Sequence, residues 1–419
     1  MNYMNQVRCS QNGNILILSR IVLILMIFGL FTIDNQGVLN MTSLLAVVLS
    51  IYYININKLN IKHTLTNLIK KRKTLLLFTL WCLVCIIFFT YKDKSLDAFV
   101  ILLKDWRYPL IMALFFGAFS KHKTMLRSVF VIGAILTLSY IVLVVPVLRI
   151  IKNNPQELYL QLRYGFAFYV VMLYPFALTG AILYRNVFLK MILYIITVLA
   201  FVFLLYTGSR AGVLSVIVEI LLISFFLSKS LKRFLIVTCY LSLIMSTLLV
   251  GTYNTVGQVR MKIDQTLQMT NVTSSRDEII SDRLPLVMKN ISNIFFGIGY
   301  GNSTYNEYLE EHHAPKNGGV FSERNNSYNI DEPFFIIILY NLGAIGLVLF
   351  SAAFCITFKD IYARVRMHKD IFSISLLCSL VGYILVYCLF EKMFINVFLL
   401  YSISILMMYE QNVKNKIED

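Results

Sequence analysis

Residues 187–227 have the sequence VFLKMILYIITVLAFVFLLYTGSRAGVLSVIVEILLISFFL, in which a short polar turn joins two apolar runs. Each run has the length, roughly 20 residues, that a helix needs to cross the hydrocarbon core of a bilayer. Backbone polar groups find no water in that core, so a crossing segment of this kind must be helical. The stretch therefore predicts a transmembrane helical hairpin, and it indicates the class of the whole chain.

Similar apolar runs recur along the 419 residues, of which 58% are hydrophobic and only 14% are charged. A soluble domain carries a much larger share of charged residues. We expect an all-α polytopic membrane protein that forms one membrane domain over residues 1–419 and has about twelve transmembrane helices. The predicted spans are 15–33, 39–56, 74–90, 98–119, 128–148, 164–184, 188–206, 210–228, 234–251, 333–358, 371–389 and 394–409.

Lys and Arg are unevenly divided between the alternate short loops. The set that includes both termini contains 21 of them, and the opposite set contains 7. Because positively charged loops stay on the cytoplasmic side, both termini are predicted to be cytoplasmic. Residues 252–332 then form one large loop on the far side, between helices 9 and 10, and loops of this size are usually functional. The net charge of +16 lies mainly between apolar runs, so membrane lipids are expected as partners and nucleic acid is not.

Arg210 follows the turn Thr207-Gly208-Ser209 and opens the next predicted helix. The N–H groups at a helix start attract anions, and a guanidinium group binds phosphate through two hydrogen bonds. Arg210 and Ser209 are therefore candidates for binding an anionic substrate. An arginine that extends toward lipid headgroups is the alternative for this position.

The large loop carries further candidates. Arg276 and Arg283 lie seven residues apart, which is two turns along one face of a predicted helix. A basic face of this kind binds an anion, a lipid headgroup or only solvent. Near the end of the loop, His313, Asp331 and Glu332 are candidates for the base that removes a proton from a substrate.

Arg107 lies within the apolar span 98–119, where a charged side chain needs a cavity or a partner. We expect it to face a water-filled cavity and to meet an anionic group of the protein or the substrate. Lys104 and Asp105, close by in the same span, are expected to balance each other.

The pair Cys82 and Cys85 has C-x2-C spacing inside another apolar run. Zinc would need two further ligands, and the sequence offers none nearby. No metal and no cofactor are therefore expected.

Three short motifs occur in a definite order: TGSRAG at 207–212, FGIGYG at 296–301 in a segment that Arg283 opens, and GAIGL at 343–347 in the next helix. This order resembles that of the O-antigen ligase and polymerase superfamily of bacterial membrane glycosyltransferases. The resemblance is sharpest over residues 200–350, and the helix count and the late outer loop extend it to the whole chain.

The resemblance implies a metal-independent, membrane-embedded glycosyltransferase at the periplasmic face of the bacterial inner membrane. Its donor would be a glycan on undecaprenyl diphosphate, held through Arg210 and Arg283, with 252–332 as the periplasmic loop. Ligases of this family usually carry a His-Asn pair just before the tenth helix, whereas residues 329–333 here are NIDEP. Asp331 or Glu332 would then replace the histidine, or His313 would reach in from the loop.

Within the family, the ligase is the preferred function, which transfers the glycan to lipid A–core oligosaccharide in lipopolysaccharide biosynthesis. The alternative of the same class is an O-antigen or capsule polymerase, whose acceptor is another lipid-linked repeat. The alternative of a different class is a flippase for lipid-linked oligosaccharides or another secondary transporter. Transporters of this helix count usually show two related halves and short loops, and the sequence shows neither.

Overall fold

The computed structural model describes residues 2–32, 36–59, 72–92, 94–152, 155–228, 230–255, 257–268, 276–316, 328, 333–392 and 395–404. These residues form helices and their connections, and no strand occurs among them. The predicted all-α class is therefore confirmed for the described part of the chain.

The helices are numbered here in chain order, and their bounds are α1 Asn2–Leu30, α2 Gln36–Ile56, α3 Lys73–Phe88, α4 Ser95–Ala118, α5 Lys123–Lys152, α6 Pro155–Leu183, α7 Val187–Tyr206, α8 Arg210–Leu227, α9 Leu231–Thr255, α10 Gly257–Leu267, α11 Arg276–Val287, α12 Ile291–Phe296, α13 Asn302–Glu311, α14 Phe334–Met367, α15 Ile371–Leu380 and α16 Ile395–Ser404. A short 3-10 turn, Ser120–His122, precedes α5. A π-helical segment, Val381–Val386, and a 3-10 turn, Tyr387–Leu389, continue α15.

Nine helices in the described residues are long and apolar enough to cross a membrane, and each coincides with a predicted span. Two further predicted spans correspond to the shorter apolar helices α3 and α16, of which α16 reaches the end of the described residues. The remaining predicted span lies in α4, which carries Asp97, Lys104, Asp105 and Arg107. The chain is thus a multi-pass membrane protein by the length and composition of its helices, while the count of twelve stays a prediction.

The most enclosed of the membrane helices are α6 and α15, which pack against each other at the centre of the bundle. Pro175 lies inside α6, where a proline removes one backbone hydrogen bond. Ser375 and Ser379 of α15 donate to the carbonyl oxygens of Pro175 and Met172, at 3.0 and 2.8 Å. Such side-chain donors satisfy backbone groups near a helix irregularity in an apolar interior.

The segment between α9 and α14 contains four helices, α10 to α13, and a small apolar core of its own. That core includes Val287, Ile298, Tyr305 and Leu309, and it is completed by Tyr340 of α14. The segment is therefore a folded cap on one end of the bundle. This end also contains the turn between α7 and α8, because α8 leads away from it and α9 returns to it.

Helix α14 is broken at Gly343, whose φ of 66° interrupts the helical backbone. A break leaves carbonyl groups without partners inside the helix, and a membrane interior requires other donors for them. Those donors come from the cap and from α3. The hydrogen bonds are Ile298 N to Tyr340 O at 2.9 Å, Gly299 N to Asn341 O at 3.1 Å, and Trp81 Nε1 to Leu342 O at 3.0 Å.

Candidate functional site

The turn before α8 is held in place by its own side chains. Gly208 has a φ of 63°, which favours glycine, and the Thr207 hydroxyl accepts from the Ser209 backbone N–H at 3.2 Å. The Ser209 hydroxyl in turn accepts from the Gly212 N–H at 3.2 Å, so Ser209 is the N-cap of α8. Ser209 was predicted to bind substrate, and the structure gives its hydroxyl this capping contact.

Arg210 is the first residue of α8 and is half-buried. As the first residue of the helix, it lies at the end where the backbone N–H groups and the dipole favour negative charge. The turn therefore combines an arginine with a helix start, and this arrangement suits a phosphate group.

Arg276, at the start of α11, forms an ion pair with Glu391 at 2.8 Å, and both side chains are largely buried. Glu391 lies at the same end of the bundle as Arg210, which follows from the packing of α8 against the π-helical segment after α15. Gly382 of that segment faces Glu219 of α8. From this contact, Arg210 is nine residues back along α8, and Glu391 is nine residues onward along the antiparallel segment. Both paths lead toward the same end of the bundle, so Arg210 and Glu391 lie at similar levels along the bundle axis.

Asp105 of α4 adds a carboxylate at the same end. The Tyr300 hydroxyl donates to Asp105 Oδ2 at 2.5 Å, and the ammonium group of Lys392, next to Glu391, lies within electrostatic range of this carboxylate. Burial raises the pKa of Tyr300 well above its ordinary value, and the negative charge of Asp105 adds to this effect, so the tyrosine remains the donor. Asp105 was expected to balance Lys104, but Lys104 is exposed and Asp105 accepts from Tyr300.

We call the arginines, carboxylates and their neighbours at this end the outer cluster. Its members are Asp105, Arg210, Arg276, Tyr300, Glu391 and Lys392. The cluster contains more positive than negative charge, and it lies where the folded cap meets the bundle.

Residues 297–301, which we call the glycine turn, fix the cap to the bundle. Gly297, Gly299 and Gly301 have φ values of 77°, 110° and 97°, a region that side chains disfavour. A Cβ at Gly297 would lie 2.4 Å from the backbone of Asn341, and one at Gly299 would lie 2.6 Å from Thr90 Cα. The turn is inserted between Thr90 just after α3, Ile101 of α4 and Asn341 of α14.

Arg283 is completely buried inside the cap, on the same helix as Arg276. Its Nη1 donates to the Tyr305 hydroxyl at 3.4 Å, and its guanidinium carbon lies 5.8 and 5.9 Å from the ring centres of Tyr305 and Tyr328. These contacts hold α11 against α13. Arg276, and not Arg283, is the cap arginine whose described ion pair reaches the outer cluster.

Of the three predicted bases, the structure describes only His313. His313 is exposed at the end of α13 and has a φ of 50°, while Asp331 and Glu332 lie outside the described residues. Arg107 is exposed on α4, where its guanidinium group contacts the hydroxyl and the ring of Tyr108. An internal cavity around Arg107 therefore stays a prediction.

Two acidic residues of interest were missed in the sequence. Glu219 is completely buried within the apolar helix α8. Glu391 follows the 3-10 turn Tyr387–Leu389 and forms the ion pair with Arg276. A single Glu in a run such as VLSVIVEILLIS is a readable signal, because ionisable residues in membrane helices usually face the protein interior. Glu391 had no such signal, since its importance depends on a contact with a residue 115 positions away.

No family model matches this chain, and no curated protein matches it either. In the described residues, no group of three or more His, Cys, Asp or Glu side chains could hold a metal ion. What the outer cluster offers chemically is fixed positive charge beside a helix start, which suits the binding of a phosphate or diphosphate.

Proposed function

We propose that this protein is a membrane glycosyltransferase that takes a glycan from undecaprenyl diphosphate and transfers it to lipid A–core oligosaccharide, as an O-antigen ligase does. The observation that carries the proposal is the placement of Arg210 at the start of α8, at the end of the bundle where Arg276 pairs with Glu391. The order of the TGSRAG, FGIGYG and GAIGL motifs gives it a family context.

The proposed mechanism follows from charge. The acceptor hydroxyl attacks the anomeric carbon of the donor sugar, the bond between that carbon and the diphosphate oxygen breaks, and the electron pair leaves with the diphosphate. Arg210 and the N–H groups of α8 stabilise the negative charge that develops there. Arginine suits this task because it stays charged and binds phosphate through two hydrogen bonds.

The base that accepts the proton of the acceptor hydroxyl is proposed to be Asp331 or Glu332, with His313 as a further candidate. Asp105 and Glu391 are near the arginines, but they accept hydrogen bonds from Tyr300 and Arg276. These described contacts already engage an oxygen of each carboxylate. Asp331 and Glu332 directly precede Pro333 and α14 in the sequence.

The same proposal sets the orientation: a bacterial inner-membrane protein with both termini in the cytoplasm and residues 252–332 in the periplasm. It is supported by the excess of Lys and Arg in the loops on the side of the termini. A cysteine placed at Asn317 is expected to react with a membrane-impermeant reagent in intact spheroplasts. Failure to react there, with reaction after lysis, would reverse the orientation.

The test of the function is a lipopolysaccharide gel from a strain that lacks this protein. The ligase predicts loss of all polymer from the core, with long lipid-linked chains accumulating. A core that carries a single repeat would instead identify a polymerase. Loss of polymer from the core with short lipid-linked intermediates trapped on the cytoplasmic face would identify a flippase, and an unchanged gel would also contradict the proposal.

A further inference from the structure

A second cationic site lies at the opposite end of the bundle, away from the outer cluster. The ends of α6 and α14 and the starts of α5 and α15 surround a cavity of about 690 Å³ there. Its polar lining includes Arg127, Arg364, His368 and Lys369. We propose that this cavity binds the phosphate group of an anionic membrane phospholipid.

The charges of the cavity favour an anion. Two arginines and a lysine line it, and Asp370 is the acidic residue in its lining. The Asp370 carboxylate is directed to the start of α15, where it accepts from the Ser373 N–H at 2.8 Å and from the Ser373 hydroxyl at 3.0 Å. It also lies 3.8 Å from Arg364 Nε. Because these contacts hold its negative charge at the helix cap, the remaining lining is cationic.

The apolar part of the cavity favours a lipid over a free anion. Val131 and Ile132 lie one turn further into the bundle than Arg127 and Ser128, and Ile132 is 44% exposed on the outer face of α5. Phe372 closes the inner side and packs against Phe130, with ring centres 5.5 Å apart. Cationic groups at the helix ends and apolar groups just below them match the two parts of a phospholipid. Basic cavities between membrane helices are known to bind anionic headgroups.

Hydroxyl groups complete the site. Thr124 and Tyr184 line the same cavity and offer hydroxyl donors to phosphate or glycerol oxygens. The Ser128 hydroxyl, also in the lining, donates to the Thr124 carbonyl oxygen at 3.1 Å and can accept a further hydrogen bond. The site is independent of the proposed glycosyl transfer, because its lining comes from helix ends on the other side of the membrane helices.

Lipid binding is measured on the full-length purified protein by native mass spectrometry, with titrations of phosphatidylglycerol and phosphatidylethanolamine. We expect tighter binding of the anionic lipid. The variant Arg127→Gln/Lys369→Gln is expected to bind that lipid about 25-fold more weakly, since each basic residue contributes roughly fivefold near an anionic lipid. The matched control is Lys359→Gln/Arg366→Gln, which removes the same charge from exposed positions of α14 outside the cavity and should stay within about twofold of wild type.

A second variant tests whether the lipid occupies the cavity itself, independently of the cavity's charge. Ser128→Trp fills the cavity without changing its charge, and it should abolish preferential binding while the far-ultraviolet circular dichroism stays that of wild type. Equal affinity for both lipids in the wild type, or equal losses in the cavity and control variants, would overturn the proposal. Displacement of phosphatidylglycerol by inorganic phosphate at millimolar concentration would assign the site to a free phosphate and would also overturn the lipid as its occupant.

Discussion

The turn before α8 and the glycine turn lie at the same end of this molecule, and glycine has a different structural role in each. In the turn before α8, Gly208 shapes a loop that leaves Arg210 half-buried at a helix start. In the glycine turn at 297–301, the missing side chains let two backbones touch. A Cβ on Gly343, opposite this turn, would lie only 2.2 Å from the Phe295 carbonyl oxygen.

The difference shows that a glycine motif alone does not identify a binding site. The turn before α8 pairs its glycine with an arginine and with a helix start, so it has groups that an anion would contact. The N–H groups of Ile298 and Gly299 in the glycine turn are already bonded to α14. The second turn attaches the cap, and the first is the one for which we propose binding.

The largest effect is expected where the two backbones meet. Gly343→Ala places a Cβ against Phe295 at a φ of 66°, so both the contact and the backbone conformation oppose it. We expect a loss of about 3 kcal/mol or more in stability, or failure to fold. The thermal unfolding midpoint in detergent measures this. The control is Gly251→Ala in α9, where nothing lies within 4 Å of the added Cβ and the midpoint should not fall.

The next effect separates the arginine of the first turn from the arginine of the cap. Arg210→Ala should reduce transfer from purified lipid-linked donor by about 10²- to 10³-fold with little change in stability, because it removes one charge-stabilising donor. Arg210→Lys should retain part of the activity, since it keeps the charge but loses the paired hydrogen bonds. Arg283→Ala should instead lower the unfolding midpoint, because Arg283 fills space between Tyr305 and Tyr328.

The control for the Arg210 and Arg283 variants is Arg366→Ala, which changes an exposed arginine at the C-terminal end of α14, away from the outer cluster. If the Arg283 variant is stable but inactive, Arg283 belongs to the diphosphate site together with Arg210. In that case the double variant should lose less than the sum of the two single losses. If the Arg210 variant transfers glycan at the wild-type rate, the proposed site is wrong.

The membrane helices were predictable because hydrophobicity is a local property of the chain. The nine long helices follow from runs such as 187–206, in which nearly every residue is apolar. The break in α14 at Gly343 was not predictable, because the surrounding sequence continues as an apolar helix on both sides. It depends on donors from Trp81 and from the glycine turn, which lie far away in sequence.

The candidate site shows the same division. Arg210 was found because a helix start and an arginine adjoin in the sequence. The pairs Arg276–Glu391 and Asp105–Tyr300 were not found, since each joins residues more than 100 positions apart. Arg276 and Arg283 share a helix face in the sequence, yet one reaches the bundle and the other is buried in the cap, and only the packing decides between these roles.

A third glycine tests whether close packing, as in the glycine turn, also occurs deep in the bundle. A Cβ at Gly382 would lie 2.1 Å from Glu219 Oε1, so Gly382→Ala forces the buried side chain to move. We expect a loss of about 1–3 kcal/mol. If the contact with Glu219 is the cause, the loss caused by Gly382→Ala should be smaller in a Glu219→Ala background. An equal loss of stability in both backgrounds would mean that the added Cβ does not clash with the Glu219 carboxyl group.

The smallest effect concerns the exposed contacts that flank the glycine turn. Tyr91 donates its backbone N–H to Ile298 of the turn at 3.1 Å, and the next residue, Lys92, pairs with Glu311 of α13 at 2.8 Å. Hydrogen bonds from Lys92 and from the Tyr91 hydroxyl lower the pKa of Glu311 below its ordinary value of 4.5. A lowered pKa in the folded state stabilises the protein fully above pH 4.5, and the contribution is lost as the pH falls through the folded-state value.

Glu311→Gln should therefore lower the unfolding midpoint slightly at neutral pH, with a difference from wild type that shrinks below pH 4.5 and in high salt. Glu310→Gln, on the same helix, is the control. A difference that persists unchanged in acid would show that the Glu311 charge does not help to fix the glycine turn.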